Sequence, residues 1–203
     1  MTSITSVTLD APDPAAAELF YKTLGLDGVV SVRAATEPSD GFRGYTLSLV
    51  VSQPGNADAW LDAAVEGGAT VLKPAKKSFW GYGGVVQAPD GALWKVACSA
   101  KKDSAPVALA YDDLVLLLGV ADVKATRQFY ADHGLTVGKS FGSKYVEFVD
   151  DTAPVKLALY GRRALAKDAG VPPEGSRSHG IVICSDSGTF ADPDAFVWES
   201  SAP

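Results

Sequence analysis

Residues 13–26 read DPAAAELFYKTLGL, and residues 122–135 read DVKATRQFYADHGL. Asp122 lies 109 positions after Asp13, and at that shift the segments share Asp, Ala, Phe-Tyr and Gly-Leu. A second echo follows each copy. Residues 88–95 are APDGALWK and residues 192–199 are DPDAFVWE, now 104 positions apart. Two echoes in the same order describe a duplicated unit of about a hundred residues, so related halves fill the chain. Any binding site is then expected at the seam between the copies.

Each copy opens with the same local chemistry. A β-branched run (ITSVTL, residues 4–9) reads as a strand. Asp13 follows as a helix N-cap, with Pro14 at the first helical position, where a missing N–H costs nothing. Ala16, Leu19 and Phe20 sit three and four apart as an apolar stripe, and Gly25 ends the helix. Strands are expected over residues 29–34, 44–51, 70–73, 85–87 and 93–98, with a helix over 57–65. Residues 78–84, SFWGYGG, read as a glycine-rich turn carrying aromatics. A first domain spans residues 1–98. Residues 99–106, SAKKDSAP, form a linker. The second domain spans 107–203, with strands over 113–120, 144–149, 155–160, 179–184 and 196–200 and helices over 123–133 and 164–170.

The copies are shortened in complementary ways. Only 18 residues separate Leu26 from the strand at Tyr45, whereas 43 separate Leu135 from His179. Only 13 separate His179 from Pro193. The front of the first copy and the rear of the second are abbreviated. The complete parts are residues 45–98 and 113–160.

Composition excludes several classes. Of the 203 residues, 47% are hydrophobic and 21% charged, the balance of a chain that buries a core. A net charge of −6 disfavours nucleic-acid binding. No apolar run is long enough to span a membrane, and the N-terminus lacks the pattern of a signal peptide. Cys98 and Cys184 fit free thiols in a reducing cytoplasm.

The order of strand, D-x6-FY-x3-GL helix, further strands, a helix running into Gly-Gly-Ala, then Trp-Gly, Pro-Asp-Gly and Trp-Lys/Glu resembles the vicinal oxygen chelate superfamily. That group includes glyoxalases, bleomycin-resistance proteins and ring-cleaving dioxygenases. The resemblance implies an α+β fold: tandem βαβββ modules forming curved, mainly antiparallel sheets around a cup, helices outside. It also implies a metal held by a His seven residues before the Asp at the strand end, and by a Glu four residues after the Gly of the Pro-Asp-Gly turn. Those positions here are Ser6, Val115 and Lys95. His179, seven before Asp186, and Glu199 keep the pattern in the last module alone. Two ligands fall short of the three or four that a catalytic metal needs.

Binding of a small aromatic or antibiotic-like molecule without a metal is therefore the leading expectation. A metal-dependent lyase, isomerase or dioxygenase using His179 and Glu199, with one divalent ion, is an alternative. A non-catalytic interaction protein with a filled cup is another. The candidate ligand-binding residues are Phe79, Trp80, Tyr82, Lys95, Val115 and Leu117. Strand alternation turns Lys95 and Glu199 away from Trp94 and Trp198, which suggests a charged pair inside one cup. Tyr45, Tyr145 and Tyr160 read as core. The Gly81-x-Gly83-Gly84 run lacks the Lys-Ser/Thr and the helix of a phosphate loop. A tandem chain can complete its cup internally, so a monomer is expected, with a homodimer as the alternative.

Overall fold

The computed structural model describes residues 2–79, 81–175 and 178–201. Among the described residues thirteen strands and four helices follow one another in four modules. The first comprises β1 (Ile4–Ala11), α1 (Pro14–Thr23) and β2 (Val30–Ala34). The second is a full βαβββ unit: β3 (Tyr45–Val50), α2 (Pro54–Glu66), β4 (Thr70–Ser78), β5 (Gly81–Gln87) and β6 (Leu93–Cys98). The third is also full: β7 (Asp113–Val120), α3 (Val123–Asp132), β8 (Val137–Ser140), β9 (Tyr145–Phe148) and β10 (Lys156–Gly161), trailed by α4 (Arg162–Ala169). The fourth keeps β11 (Ile181–Ser185), β12 (Phe190–Ala191) and β13 (Val197–Ser200).

The two complete modules build one eight-stranded sheet, ordered β4-β5-β6-β3-β7-β10-β9-β8. The two abbreviated modules build a five-stranded sheet, ordered β12-β13-β11-β1-β2. The larger sheet is mainly antiparallel, with parallel pairs only at β3–β6 and β7–β10. Each sheet draws strands from both halves of the chain.

The repeated helix signals operate as chemistry dictates. Asp13 accepts from the Ala16 N–H at 3.1 Å, and Asp122 accepts from the Lys124 and Ala125 N–H groups at 2.9 and 3.1 Å. Gly25 and Gly134 take φ of 69° and 87°, the left-handed turn that lets Leu26 and Leu135 donate back to Tyr21 and Tyr130. The buried face of α1 is Ala17, Phe20 and Tyr21, while Leu19 is 66% exposed. The expected stripe is thus rotated by one residue, because packing selects the positions that Tyr21 anchors.

The two sequence echoes meet in space. Tyr21 donates to Asp90 at 2.7 Å and accepts from the Trp94 indole at 3.3 Å. In the second copy, Tyr130 donates to Asp192 at 2.6 Å and accepts from Trp198 at 3.1 Å. All of these groups are buried. The four aromatic rings belong to one continuous apolar core that runs through both sheets and α1, α2 and α3.

Several local expectations are corrected. β4 runs to Ser78 and β5 begins at Gly81, so most of the glycine-rich segment is strand and not turn. The glycines serve strand packing: a Cβ on Gly83 would lie 2.3 Å from the Val96 carbonyl oxygen, and one on Gly81 would collide with that of Cys98. Tyr145 and Tyr160 are half-buried, whereas Tyr45 is core. Cys98 and Cys184 are both free thiols. Among the described residues no helix is long and apolar enough to cross a membrane.

Candidate functional site

Alternation divides the eight-stranded sheet sharply. Leu47, Leu49, Trp94, Val96, Leu114, Leu116, Leu157 and Leu159 face the core. Thr46, Ser48, Lys95, Ala97, Val115, Leu117, Lys156 and Tyr160 occupy the other face and line a cavity of about 700 Å³. Strand register sets Lys95 beside Ser48, Ser48 beside Val115, and Val115 beside Lys156. The floor of the cup is therefore a Lys-Ser-Val-Lys row crossing the seam between the complete modules. One end is covered by α4, whose Leu165, Ala166 and Ala169 pack on Phe42, Leu93, Leu117 and Tyr160.

Charges in the cup are matched. Lys95 pairs with Asp168 of α4 at 2.7 Å, and Lys156 with Asp113 at 2.6 Å. These pairs are solvent-accessible, so each contributes at most about 1 kcal/mol to stability and is open to exchange with a ligand. Tyr145 donates to Glu147 at 2.8 Å and meets Tyr160 edge to face, with ring centroids 5.4 Å apart. Burial, reinforced by that hydrogen bond, pushes the Tyr145 phenol well above the usual tyrosine range, so it stays a neutral donor.

The floor row by itself offers no set of metal ligands. Lys95 is cationic, Val115 has no donor atom, and Ser48 is a weak ligand. Among the described residues no group of three or more His, Cys, Asp or Glu side chains is placed to hold an ion.

The candidate residues from the sequence are dispersed. Lys95, Val115 and Leu117 lie in the cup. Tyr82 stands opposite Cys98 and not on the Lys95–Ala97 face, and its hydroxyl donates to Asp58 of α2 at 2.7 Å. That bond, aided by burial, raises its pKa to about 12. Phe79 is 81% exposed at the hairpin tip, with the Lys101 ammonium 6.0 Å from its ring centroid. Trp80 lies outside the described residues.

His179 and Glu199 are not brought together. The His179 ring sits between the carbonyl oxygens of Arg43 and Asp194, at 2.6 and 2.9 Å, and stacks on Phe196. Each nitrogen lies against a carbonyl oxygen, and a neutral ring can donate to one of the two. Glu199 is exposed in the five-stranded sheet, opposite Cys184. The expected Lys95–Glu199 pair is corrected for the same reason: alternation set each orientation properly, but the two residues belong to different sheets.

Sequence reasoning missed Lys156, Tyr145, Tyr160, Glu147, Asp113 and Asp168. A signal was present. In TLSL (46–49) and KLAL (156–159) buried leucines alternate with smaller or charged residues, as a two-faced strand requires.

No protein-family model and no curated protein matches the sequence. Solved structures do match in shape. Glyoxalase I from Zea mays superposes with a TM-score of 0.65 at 13% identity, covering 98% of this chain and 91% of that one. A dioxygenase-like protein from Bacillus subtilis superposes with a TM-score of 0.55 at 11% identity, covering 98% and 84%. With its modules paired first to last and second to third, and with these superpositions over nearly its whole length, the chain has a glyoxalase-like fold.

Proposed function

We propose that the protein binds a small, partly aromatic molecule in the cup of the eight-stranded sheet, without a metal and without turning it over. The observation that carries this reading is the Lys-Ser-Val-Lys row. It removes metal ligands from the floor while the cup stays open at about 700 Å³. That volume lies within the roughly 300–1,000 Å³ range of small-molecule pockets. Tyr145 and Tyr160 supply an aromatic wall, Val115 and Leu117 apolar contact, and Lys95 and Lys156 ion pairs that a polar ligand can exchange into. An interaction scaffold would need no such cavity.

The test is a thermal-shift and fluorescence screen against a panel of aromatic antibiotics and metabolites, repeated on Val115→Trp. The expected result is saturable binding to the wild type, lost by at least about tenfold when the indole fills the cup. Hits that bind Val115→Trp equally well would place the ligand elsewhere. Chemical conversion of a bound hit would overturn the non-catalytic part.

A further inference from the structure

We propose that a lysine-lined groove opening off the cup receives an acidic group, so that the ligand is an amphipathic organic acid. This rests on the cup being the binding site. The groove holds about 290 Å³ and is lined by Lys73, Lys76, Gly83, Lys95, Ala97 and Asp168, among others. Lys95, Ala97 and Asp168 line the cup as well, so the two spaces adjoin, with the accessible Lys95–Asp168 pair at their shared border.

Strand register shapes the groove. Lys73 stands opposite Val85, which stands opposite Lys95; Lys76 stands opposite Gly83, which stands opposite Ala97. Residues directly opposite share a face. Beside Lys76 the floor is therefore a hydrogen and a methyl group, a trough with a cation on its rim. Lys77 falls opposite Tyr82, on the helix side, where Asp58 lies. The lysines on the groove side meet far less acid. Lys73 donates to the carbonyl oxygens of Lys167 and Asp168, at 2.9 and 2.5 Å, fastening the end of α4. Lys95 holds Asp168. Lys76 has no ion-pair partner among the described residues.

The charge balance differs between the two spaces. In the cup, Lys95, Lys139 and Lys156 face Asp113, Glu147 and Asp168. In the groove, Lys73, Lys76 and Lys95 face Asp168 alone. A protein of net charge −6 thus keeps a local positive potential at one end of its cavity, where it draws an anion and orients the apolar remainder toward Tyr145 and Tyr160. The entering anion takes Lys95 from Asp168 and reaches Lys76 across the trough.

The experiment uses a matched pair of fluorescent probes: anilinonaphthalene sulfonate, and phenylnaphthylamine, the same ring system without the sulfonate. The sulfonate should bind wild type about three- to tenfold more tightly, the size of one or two accessible charge contacts, and the advantage should shrink with added salt. Lys76→Gln should remove most of that advantage and leave the neutral probe unchanged; Lys76→Glu should reverse it. Equal affinities for the two probes, or a Lys76→Gln variant that keeps the preference, would overturn the groove assignment while leaving the cup intact. Sulfonate binding that survives Val115→Trp lies outside the cup and also overturns it. If neither probe binds wild type, the cup reading itself fails, and the groove with it.

Discussion

Tyr130→Phe removes one oxygen atom from the centre of a buried triad, and its cost can be worked from the partners left behind. The hydroxyl donates to Asp192 at 2.6 Å and accepts from Trp198 at 3.1 Å. Asp192 keeps its bonds from the N–H groups of Asp194 and Phe196, at 2.9 and 2.8 Å, so the carboxylate is weakened but not stranded. The Trp198 indole loses its acceptor and is fully buried. A hydrogen bond to a charged group contributes about 1.5–3 kcal/mol, and an orphaned neutral donor adds about 1 kcal/mol, partly offset by the gain in apolar fit. The expected loss is about 2–3 kcal/mol, or roughly 5–10 °C in melting temperature for a chain of this size.

The sign of the pH dependence follows from the same bond. Burial raises the Asp192 carboxyl above its ordinary value, and the Tyr130 hydroxyl opposes that shift by favouring the charged form. Removing the hydroxyl raises the folded-state pKa further. The penalty is therefore larger at neutral pH than at about pH 4, near the ordinary carboxyl value, because the raised carboxyl takes up its proton on the way down and no longer needs the hydroxyl as an ionised group would. Urea titration of wild type and variant at both pH values measures this. A loss below about 0.5 kcal/mol at neutral pH, or one that grows on acidification, would refute the account. Tyr21→Phe should behave alike, because Asp90 is raised by burial and receives the Tyr21 hydroxyl in the same way.

His179→Ala gives up a ring N–H bond to a backbone carbonyl and a stacked ring, and should destabilise by about 1–2 kcal/mol in chemical denaturation while leaving probe affinity unchanged. Glu199→Ala, at an exposed strand position, should stay within about 0.5 kcal/mol of wild type and leave ligand binding intact; a lost ligand or metal would revive the His179–Glu199 alternative. Protein purified without chelator should carry substoichiometric Ni, Zn, Fe and Mn by elemental analysis, and its melting temperature should not respond to chelator. Near-stoichiometric metal would contradict the donor set on the cup floor. Sedimentation velocity should show a monomer, since the two complete modules close the cup within one chain.

Much of this was legible in the linear order of residues, for a physical reason. Helix caps, chain reversals at glycine and two-faced strands are set by groups within a few positions of one another. Asp13, Asp122, Gly25 and Gly134 therefore announced their helices, and the spacing of the echoes announced the duplication. That Lys95 and Val115 stand where the resembled superfamily places metal ligands was equally readable, because it depends on residue type and spacing alone. Which strand lies beside which was decided only by tertiary structure. The equivalence of Lys95 and Glu199 in the repeat suggested one shared site, yet the complete modules pair with each other and the abbreviated ones do likewise, placing the two residues in separate sheets. The same pairing laid Lys156 in the row with Lys95 and Ser48, swung Asp168 of α4 over the cup, and assigned Asp192, not its neighbour Asp194, to Tyr130. Strand partnership joins residues tens of positions apart and is settled by which edges and apolar faces must be covered together, a property of the assembled core that no local segment carries.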